Sequence, residues 1–201
     1  MSYSDFTLEK VQQSFAFNII EDQDLFLGIA EVIVSALLKK NLEFKVPIAL
    51  AINTEKARSE LIISEILIEL KRILNGQISL FSGVSVDVDK EQGLNGYWDF
   101  MISKSPVQFF IKAPLIAIVE AKNENIPSGI GQCIAEMIAA KLFNERAGQP
   151  LATLYGAVTI GNLWKFLKYK GNNVFIDQQE YHISNPAKIV GILVAMATET
   201  A

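Results

Sequence analysis

The residues from Leu115 to Asn123 constrain the fold of this chain more than any other stretch. Five apolar residues, Leu115–Val119, follow Pro114 without interruption and are rich in β-branched side chains. A run of this length and composition predicts a strand buried on both faces. It ends on Glu120 and Lys122, whose side chains share one face because strand side chains alternate with period two. Buried charge is costly unless it is paired or bound to a metal, so we place the functional site here.

Composition limits the class of protein. The chain has 201 residues, half of them hydrophobic, which is enough for one substantial core, so residues 1–201 are expected to form one domain. A formal charge of −4 excludes a generally basic nucleic-acid coat, although a local basic patch stays open. One cysteine, Cys133, excludes an internal disulfide, and one histidine, His182, gives little material for a histidine relay or zinc site.

Cellular location is predicted from the same features. A single cysteine is typical of the reducing cytoplasm. The N-terminal residues lack a basic region followed by an apolar one, and the longest apolar runs are too short or too polar to span a bilayer. We therefore expect a soluble cytoplasmic protein that does not bind to a membrane.

Residues 1–53 are predicted to form a helical lead-in. A short helix is expected over Leu8–Phe15, and a second over Leu25–Lys40, where apolar residues occur on almost every side. Pro47 should interrupt helical structure, which leaves Ile48–Ile52 as a short apolar connector.

Residues 54–160 are predicted to form an α/β core in the order helix, three-strand meander, helix, strand. The helices are expected from Thr54 to about Leu74 and from about Gly129 to Ala147. The strands are expected at Ile78–Val88, Tyr97–Ile102, the central run, and Leu154–Ile160 parallel to that run. Residues 161–201 should add a hairpin, Asn162–Tyr169 with Asn173–Ile176, and a helix from Pro186 to Ala197. This gives a mixed central sheet flanked by helices.

Charged and amide side chains gather around the central strand in this arrangement. Asp99, which lies between two aromatic residues, would be on the strand beside Glu120, with Lys122 close by. Two carboxylates suit a hard divalent cation, since Mg²⁺ needs only one or two of them and keeps most of its water. Gln132, in the first turn of the next predicted helix, would lie near the end of the central strand. Glu60 and Glu65 lie beside the apolar stripe of the preceding helix. For each of them, a solvated position and a role in the site are about equally expected.

A second candidate surface is the predicted strand over residues 162–169. Lys165, Lys168 and Lys170 interleave with three aromatic residues, a pattern that can contact a nucleic-acid backbone and stack bases. Lysines also protect sheet edges from aggregation, and that interpretation is favoured about two to one.

Asp99, then Glu120-Ala121-Lys122 after a hairpin, then Gln132, resembles the PD-(D/E)XK nuclease superfamily with the restriction-endonuclease-like fold. The resemblance covers residues 54–160, roughly half the chain. It implies that Asp99, Glu120 and the Ala121 backbone carbonyl hold Mg²⁺, or alternatively Mn²⁺, and that Lys122 assists the attacking water.

The resemblance also implies an acidic metal ligand on the first core helix, where Glu60 is favoured over Glu65. Gln132 corresponds to a glutamine of exonuclease-like members. There are two departures from the family pattern. Trp98 replaces the proline of the motif, and Glu136 stands where exonuclease-like members carry a tyrosine.

The expected function is therefore Mg²⁺-dependent hydrolysis of phosphodiester bonds in nucleic acid, with DNA preferred as the substrate. The alternatives are a catalytically silent nucleic-acid-binding or assembly module and a structural protein in which Glu120 and Lys122 form a buried ion pair. A homodimer is expected from the apolar C-terminal helix and the segment Leu25–Leu38. DNA or RNA, and end or internal cleavage, stay open.

Overall fold

The computed structural model describes residues 1–199, whose strands form one mixed eight-stranded sheet. The strands are β1 (Asn18–Ile20), β2 (Ser79–Ser85), β3 (Tyr97–Ser103), β4 (Leu115–Ala121), β5 (Thr153–Thr159), β6 (Leu163–Lys170), β7 (Asn173–Ile176) and β8 (Tyr181–His182). Their order is β1-β7-β6-β5-β4-β3-β2, with β8 paired to β6. The central strands β4 and β5 are parallel, the β2-β3-β4 meander and the β5-β6-β7 strands are antiparallel, and β1 joins β7 in parallel.

Helices cover both faces of this sheet. They are a 3₁₀ turn (Tyr3–Asp5), α1 (Leu8–Phe15), α2 (Ala36–Ile52), α3 (Glu55–Arg58), a π-helical turn (Ser59–Ile63), α4 (Ser64–Ile73), α5 (Ile126–Arg146) and α6 (Pro186–Glu199). One hydrophobic cluster includes residues of α2, α4 and α6, and a second includes residues of α1 and α5. The predicted α/β class, with a mixed central sheet flanked by helices, is therefore confirmed. The order of elements from residue 54 to β5 is also the predicted one.

The predicted helix over Leu25–Lys40 is wrong in its first part. Helix α2 begins only at Ala36, where the Ser35 hydroxyl accepts the backbone N–H of Leu38 at 3.1 Å. A serine in this position is a strong helix start, because it satisfies one of the donors that the first turn leaves free.

The apolar residues before Ser35 form an irregular segment that packs on α6. The Lys188 Nζ atom on α6 donates to the carbonyl oxygens of Phe26 and Leu27, both at 2.9 Å. At Gly191 a Cβ atom would lie only 2.4 Å from a backbone oxygen of the segment, so this close approach requires glycine. Apolar composition predicted burial here, but the contacts that fix the conformation come from the other end of the chain.

The predicted interruption at Pro47 is also wrong, because α2 continues through it to Ile52. Proline removes one helical hydrogen bond. Burial of Leu42 and Ala49 on either side of Pro47 favours the continued helix. The segment Ile48–Ile52 is therefore the end of a helix and not a connector.

Two surface features bear on partners. Across residues 1–199, none of the helices has the length and apolarity needed to cross a bilayer. Ile192 and Leu193 of α6 are buried against the rest of the molecule, so that helix does not provide the apolar surface expected of it. Ile33 and Leu37 in the other segment are exposed. The homodimer and the cytoplasmic location stay predictions.

Candidate active site

Pairing of β3 with β4 places the two predicted acids side by side. The antiparallel ladder ends with Phe100 opposite Val119, and Asp99 and Glu120 are the residues next to that last pair. The Oδ2 atom of Asp99 accepts the backbone N–H of Ala121 at 2.8 Å. This hydrogen bond holds the Asp99 carboxylate at the end of the central strand.

Lys122 follows directly after β4 and joins Glu120 to α5. Its backbone N–H donates to the carbonyl oxygen of Thr159 on β5 at 2.8 Å, which fixes the chain at this point. Its Nζ atom donates to Glu120 Oε1 at 2.5 Å and to Gln132 Oε1 at 3.1 Å. The structure thus brings together Asp99, Glu120, Lys122 and Gln132, which we call the carboxylate–lysine cluster.

Glu120 is the electrostatic centre of this cluster. Its side chain is 1% exposed, and its Oε2 atom has no hydrogen-bond partner among residues 1–199. Burial, followed by the charge of Asp99, raises the pKa of Glu120 to about 8 despite the opposing effect of Lys122. Burial alone would lower the pKa of Lys122, but the charge of Glu120 reverses that effect and raises it. Lys122 is therefore held as an ammonium group wherever Glu120 is ionised, and the two groups exchange protons as a pair.

Helix α5 begins earlier than predicted, at Ile126 and not at Gly129. The Asn125 side chain caps it by accepting the N–H of Ser128 at 3.3 Å, and Pro127 is tolerated in the first turn. Gln132 accordingly lies in the second turn, one turn deeper in the helix than expected.

Glu136 is a buried carboxylate that sequence analysis did not place in the site. The Gln132 Nε2 atom donates to Glu136 Oε1 at 3.0 Å, and Glu136 is fully buried. Burial, followed by the charge of Glu120, raises the pKa of Glu136 well above its ordinary value. Because Glu136 takes the amide nitrogen of Gln132, the amide oxygen is directed at Lys122.

Two glycines of α5 make room for this arrangement. A Cβ atom on Gly129 would lie 2.7 Å from Val158 and 3.0 Å from the Lys122 side chain. A Cβ atom on Gly131 would lie 2.3 Å from the backbone of Thr7. Both close approaches require glycine, and they serve packing of the chain on itself.

The structure does not bring Glu60 or Glu65 to the cluster. Glu60 is 64% exposed and is paired with Lys56 at 3.8 Å. Glu65 accepts from Asn41 at 2.8 Å and also pairs with Lys45, both on α2.

Glu55, in the first turn of α3, is the helix acid within electrostatic range of the cluster. As a residue it is exposed, but partial burial of its carboxyl group raises its pKa, Lys122 lowers it, and Asp99 raises it, with a net upward shift. The helix dipole favours an acid in the first turn of any helix. The position of Glu55 in the sequence therefore does not by itself indicate a functional role.

The three predicted nucleic-acid-binding lysines do not lie on one stripe. Along β6, side chains alternate between faces, so Lys165 is on the opposite face from Lys168 and Lys170. The Lys165 Nζ atom donates to the carbonyl oxygen of Gln178 at 3.1 Å. Their role in binding stays a prediction.

The donors of the cluster fit a hard divalent cation with few protein ligands. Within residues 1–199, no three acidic, histidine or cysteine side chains are grouped closely enough to form a metal cage. Asp99 and Glu120 are two oxygen donors, however, and Glu120 Oε2 is a buried acceptor with no partner. Mg²⁺ binds in this way, through one or two carboxylates and several waters.

Comparison with known proteins leaves the family of the chain undefined. No protein-family model matches the sequence, and no curated protein is significantly similar to it. The geometry of the cluster and the resemblance carried by its residues are therefore the features that bear on function.

Proposed function

We propose that this chain is a Mg²⁺-dependent nuclease that hydrolyses phosphodiester bonds, with DNA as the preferred substrate and a restriction-endonuclease-like core. One observation carries the proposal: the buried carboxylate of Glu120 has one oxygen bonded to Lys122 and the other without a partner, beside the carboxylate of Asp99. An unsatisfied buried acceptor is expensive, and a bound cation would offset that cost.

In this proposal Asp99 and Glu120 hold the metal, together with the Ala121 carbonyl that the resemblance implies. Glu55 replaces Glu60 as the helix acid, because the carboxyl group of Glu55 interacts electrostatically with Asp99 and Lys122. When bound, Mg²⁺ would polarise the phosphate and neutralise part of its charge.

Lys122 acts in this mechanism as a hydrogen-bond donor. Its raised pKa keeps it protonated, so it orients the attacking water and stabilises negative charge on the phosphate oxygens. Gln132 holds the ammonium group in place through its amide oxygen at 3.1 Å.

The test is cleavage of single- and double-stranded DNA and RNA, each with Mg²⁺ and with a chelator. Asp99→Asn and Lys122→Ala should each reduce the cleavage rate at least about a hundredfold. Glu60→Gln, a change in an exposed acid of the same molecule, is the matched control and should leave the rate unchanged. If the wild type cleaves none of the four substrates with Mg²⁺, the proposal is wrong, and binding without cleavage would then favour the silent module.

A further inference from the structure

A cleft lies next to the carboxylate–lysine cluster and shares one residue with it. The cleft has a volume of about 360 Å³ and is lined by Ser2, Tyr3, Ser4, Gly96, Tyr97 and Gln132. Gln132 is the shared residue, since its amide oxygen accepts from Lys122. Only the Gln132 side chain therefore separates a molecule in the cleft from Lys122 of the proposed reaction centre.

Tyr97 presents an aromatic ring at this cleft. It is the first residue of β3, two residues before Asp99, and it is 71% exposed. Its partner across the ladder is Ser85, a small residue that leaves the ring uncovered. An exposed ring beside a cleft is available for stacking with a flat ligand.

The part of the lining formed by residues 2–4 is fixed in place by Tyr3. Tyr3 is 1% exposed, its N–H donates to the Asn95 carbonyl at 3.1 Å, and its ring packs edge-on against Trp98 with centroids 5.7 Å apart. The hydroxyls of Ser2 and Ser4 lie 3.1 Å apart on this wall. A cleft with a fixed wall binds a ligand without first having to order that wall.

The lining favours a base over a phosphate. None of the six lining residues carries a charged side chain, so the cleft offers hydroxyl, amide and backbone groups together with an aromatic face. A nucleobase is flat, uncharged and rich in hydrogen-bonding edges. The positive charge that a phosphate needs is that of Lys122, in the neighbouring cluster, together with the proposed Mg²⁺.

We propose that this cleft binds an unpaired nucleobase, stacked on Tyr97, from the strand whose phosphate lies at the carboxylate–lysine cluster. The placement of that phosphate rests on the proposed function. A base inside a duplex already has neighbours on both faces, so stacking on an aromatic side chain requires a single-stranded or frayed nucleotide. The substrate class is therefore nucleic acid with unpaired nucleotides at the point of cleavage.

Binding is tested with Mg²⁺ in full-length protein carrying Lys122→Ala, so that the probe is not consumed. The probes are labelled oligothymidylate and a labelled blunt hairpin duplex, measured by fluorescence anisotropy. Tyr97→Ala should weaken oligothymidylate binding roughly tenfold, while Tyr97→Phe should keep affinity within about twofold because the ring is retained. Duplex affinity should be the same in all variants.

Phe109→Ala is the matched control. Phe109 is 102% exposed in the loop that joins β3 to β4, at the opposite end of β3 from Tyr97, and its removal should change neither affinity. Unchanged oligothymidylate binding in Tyr97→Ala, or an equal loss for the duplex, would overturn the inference. So would thymidine monophosphate competing as well as the oligomer, since that indicates a free-nucleotide site.

Failure of the proposed function gives a different result. If the wild type does not cleave but Tyr97-dependent binding of oligothymidylate persists, the base site is supported and the nuclease proposal fails. If the wild type cleaves duplex and single strands at equal rates and Tyr97→Ala leaves both rates unchanged, the nuclease proposal stands and the base site is rejected.

Discussion

Glu69 on α4 and Glu120 on β4 are both buried carboxylates with a basic neighbour, yet their electrostatics are opposite. Both oxygens of Glu69 are satisfied: Arg72 donates at 2.6 and 3.0 Å, and the backbone and hydroxyl of Ser35 donate at 2.6 and 2.9 Å. The bond to Arg72, with help from Ser35, lowers the pKa of Glu69 to about 2 although burial opposes this shift. In Glu120 one oxygen has no partner, and the pKa rises to about 8.

The comparison shows that hydrogen bonds to both oxygens keep the pKa of a buried carboxyl low, whereas burial without a partner for one oxygen raises it. Glu69 ties α4 to the start of α2 and leaves no acceptor for a ligand. Glu120 is held by Lys122 on one side and has a free acceptor on the other. The unpartnered Glu120 oxygen is energetically unfavourable, and a bound cation would offset that cost.

The largest loss of stability should come from Glu69→Gln. Removing the charge breaks the pairing with Arg72 and weakens the cap on α2. We expect a loss of about 2 kcal/mol in the free energy of unfolding, less than the pKa shift alone implies because Arg72 is half exposed to solvent. Because the folded pKa is depressed, this stabilisation is present above the ordinary carboxyl pKa and is lost as the pH falls towards about 2. Urea denaturation near neutral pH measures it, and a loss below about 1 kcal/mol would contradict the comparison.

Glu120→Gln should increase the free energy of unfolding of the metal-free protein, the opposite of the effect of Glu69→Gln. The raised pKa means that the folded state holds the proton more tightly, so the wild type loses stability as the pH rises from about 4.5 to about 8. We expect the variant to be about 2 kcal/mol more stable than the wild type near pH 9, since lost pairing with Lys122 offsets part of the gain. The difference should shrink towards zero near pH 5. Thermal unfolding across this range with a chelator present is the measurement, and a less stable variant at high pH would indicate a structural ion pair.

Mg²⁺ should stabilise the wild type and not Asp99→Asn. A ligand that binds only the folded state adds about 2.7 kcal/mol at a concentration a hundred times its Kd. The effect should grow as the pH rises towards about 8, because Mg²⁺ must displace the proton from Glu120. Calorimetric titration compares the two proteins, with Glu69→Gln as a control that alters a carboxylate distant in the fold and should still bind Mg²⁺.

Sequence periodicity predicted the sheet and the core of the cluster because both depend on interactions between residues that are close in the sequence. The Leu115–Val119 run and its neighbours carry their own strand pattern, and Asp99 reaches Glu120 through a hairpin. The segment before Ser35 could not be predicted in this way. Its conformation depends on Lys188, more than a hundred residues later in the chain.

The position of Glu60 away from the cluster has a local cause. Glu60 lies in the π-helical turn Ser59–Ile63, where the extra residue per turn rotates side chains away from the faces that a period of 3.6 assigns. Glu136 was missed because α5 is buried on more than one side, by the sheet and by the N-terminal residues that pack at Gly131. A single apolar stripe does not describe such a helix.

Glu136→Met should reduce the rate of cleavage without changing the affinity for Mg²⁺. Methionine fills the volume but cannot accept from the Gln132 amide, which is then free to turn its nitrogen towards Lys122. We expect a loss of about tenfold in kcat, equivalent to roughly 1.4 kcal/mol. Glu136→Gln retains an acceptor and should recover most of the rate. The side-chain amide protons of Gln132 give an independent readout by NMR, since they should exchange slowly in the wild type and in Glu136→Gln only.

The smallest effects should separate two exposed acids of one helical run, Glu55 and Glu60. Both are accessible, so neither substitution to glutamine should change the free energy of unfolding by more than about 0.5 kcal/mol. Of these two acids, only Glu55 interacts electrostatically with Asp99 and Lys122. Glu60 forms a solvent-exposed ion pair with Lys56. Glu55→Gln should therefore weaken Mg²⁺ binding several-fold at low ionic strength, with the effect reduced by added salt, while Glu60→Gln should bind like the wild type. Equal Mg²⁺ affinities in the two variants would remove Glu55 from the site and leave the cation to Asp99 and Glu120 alone.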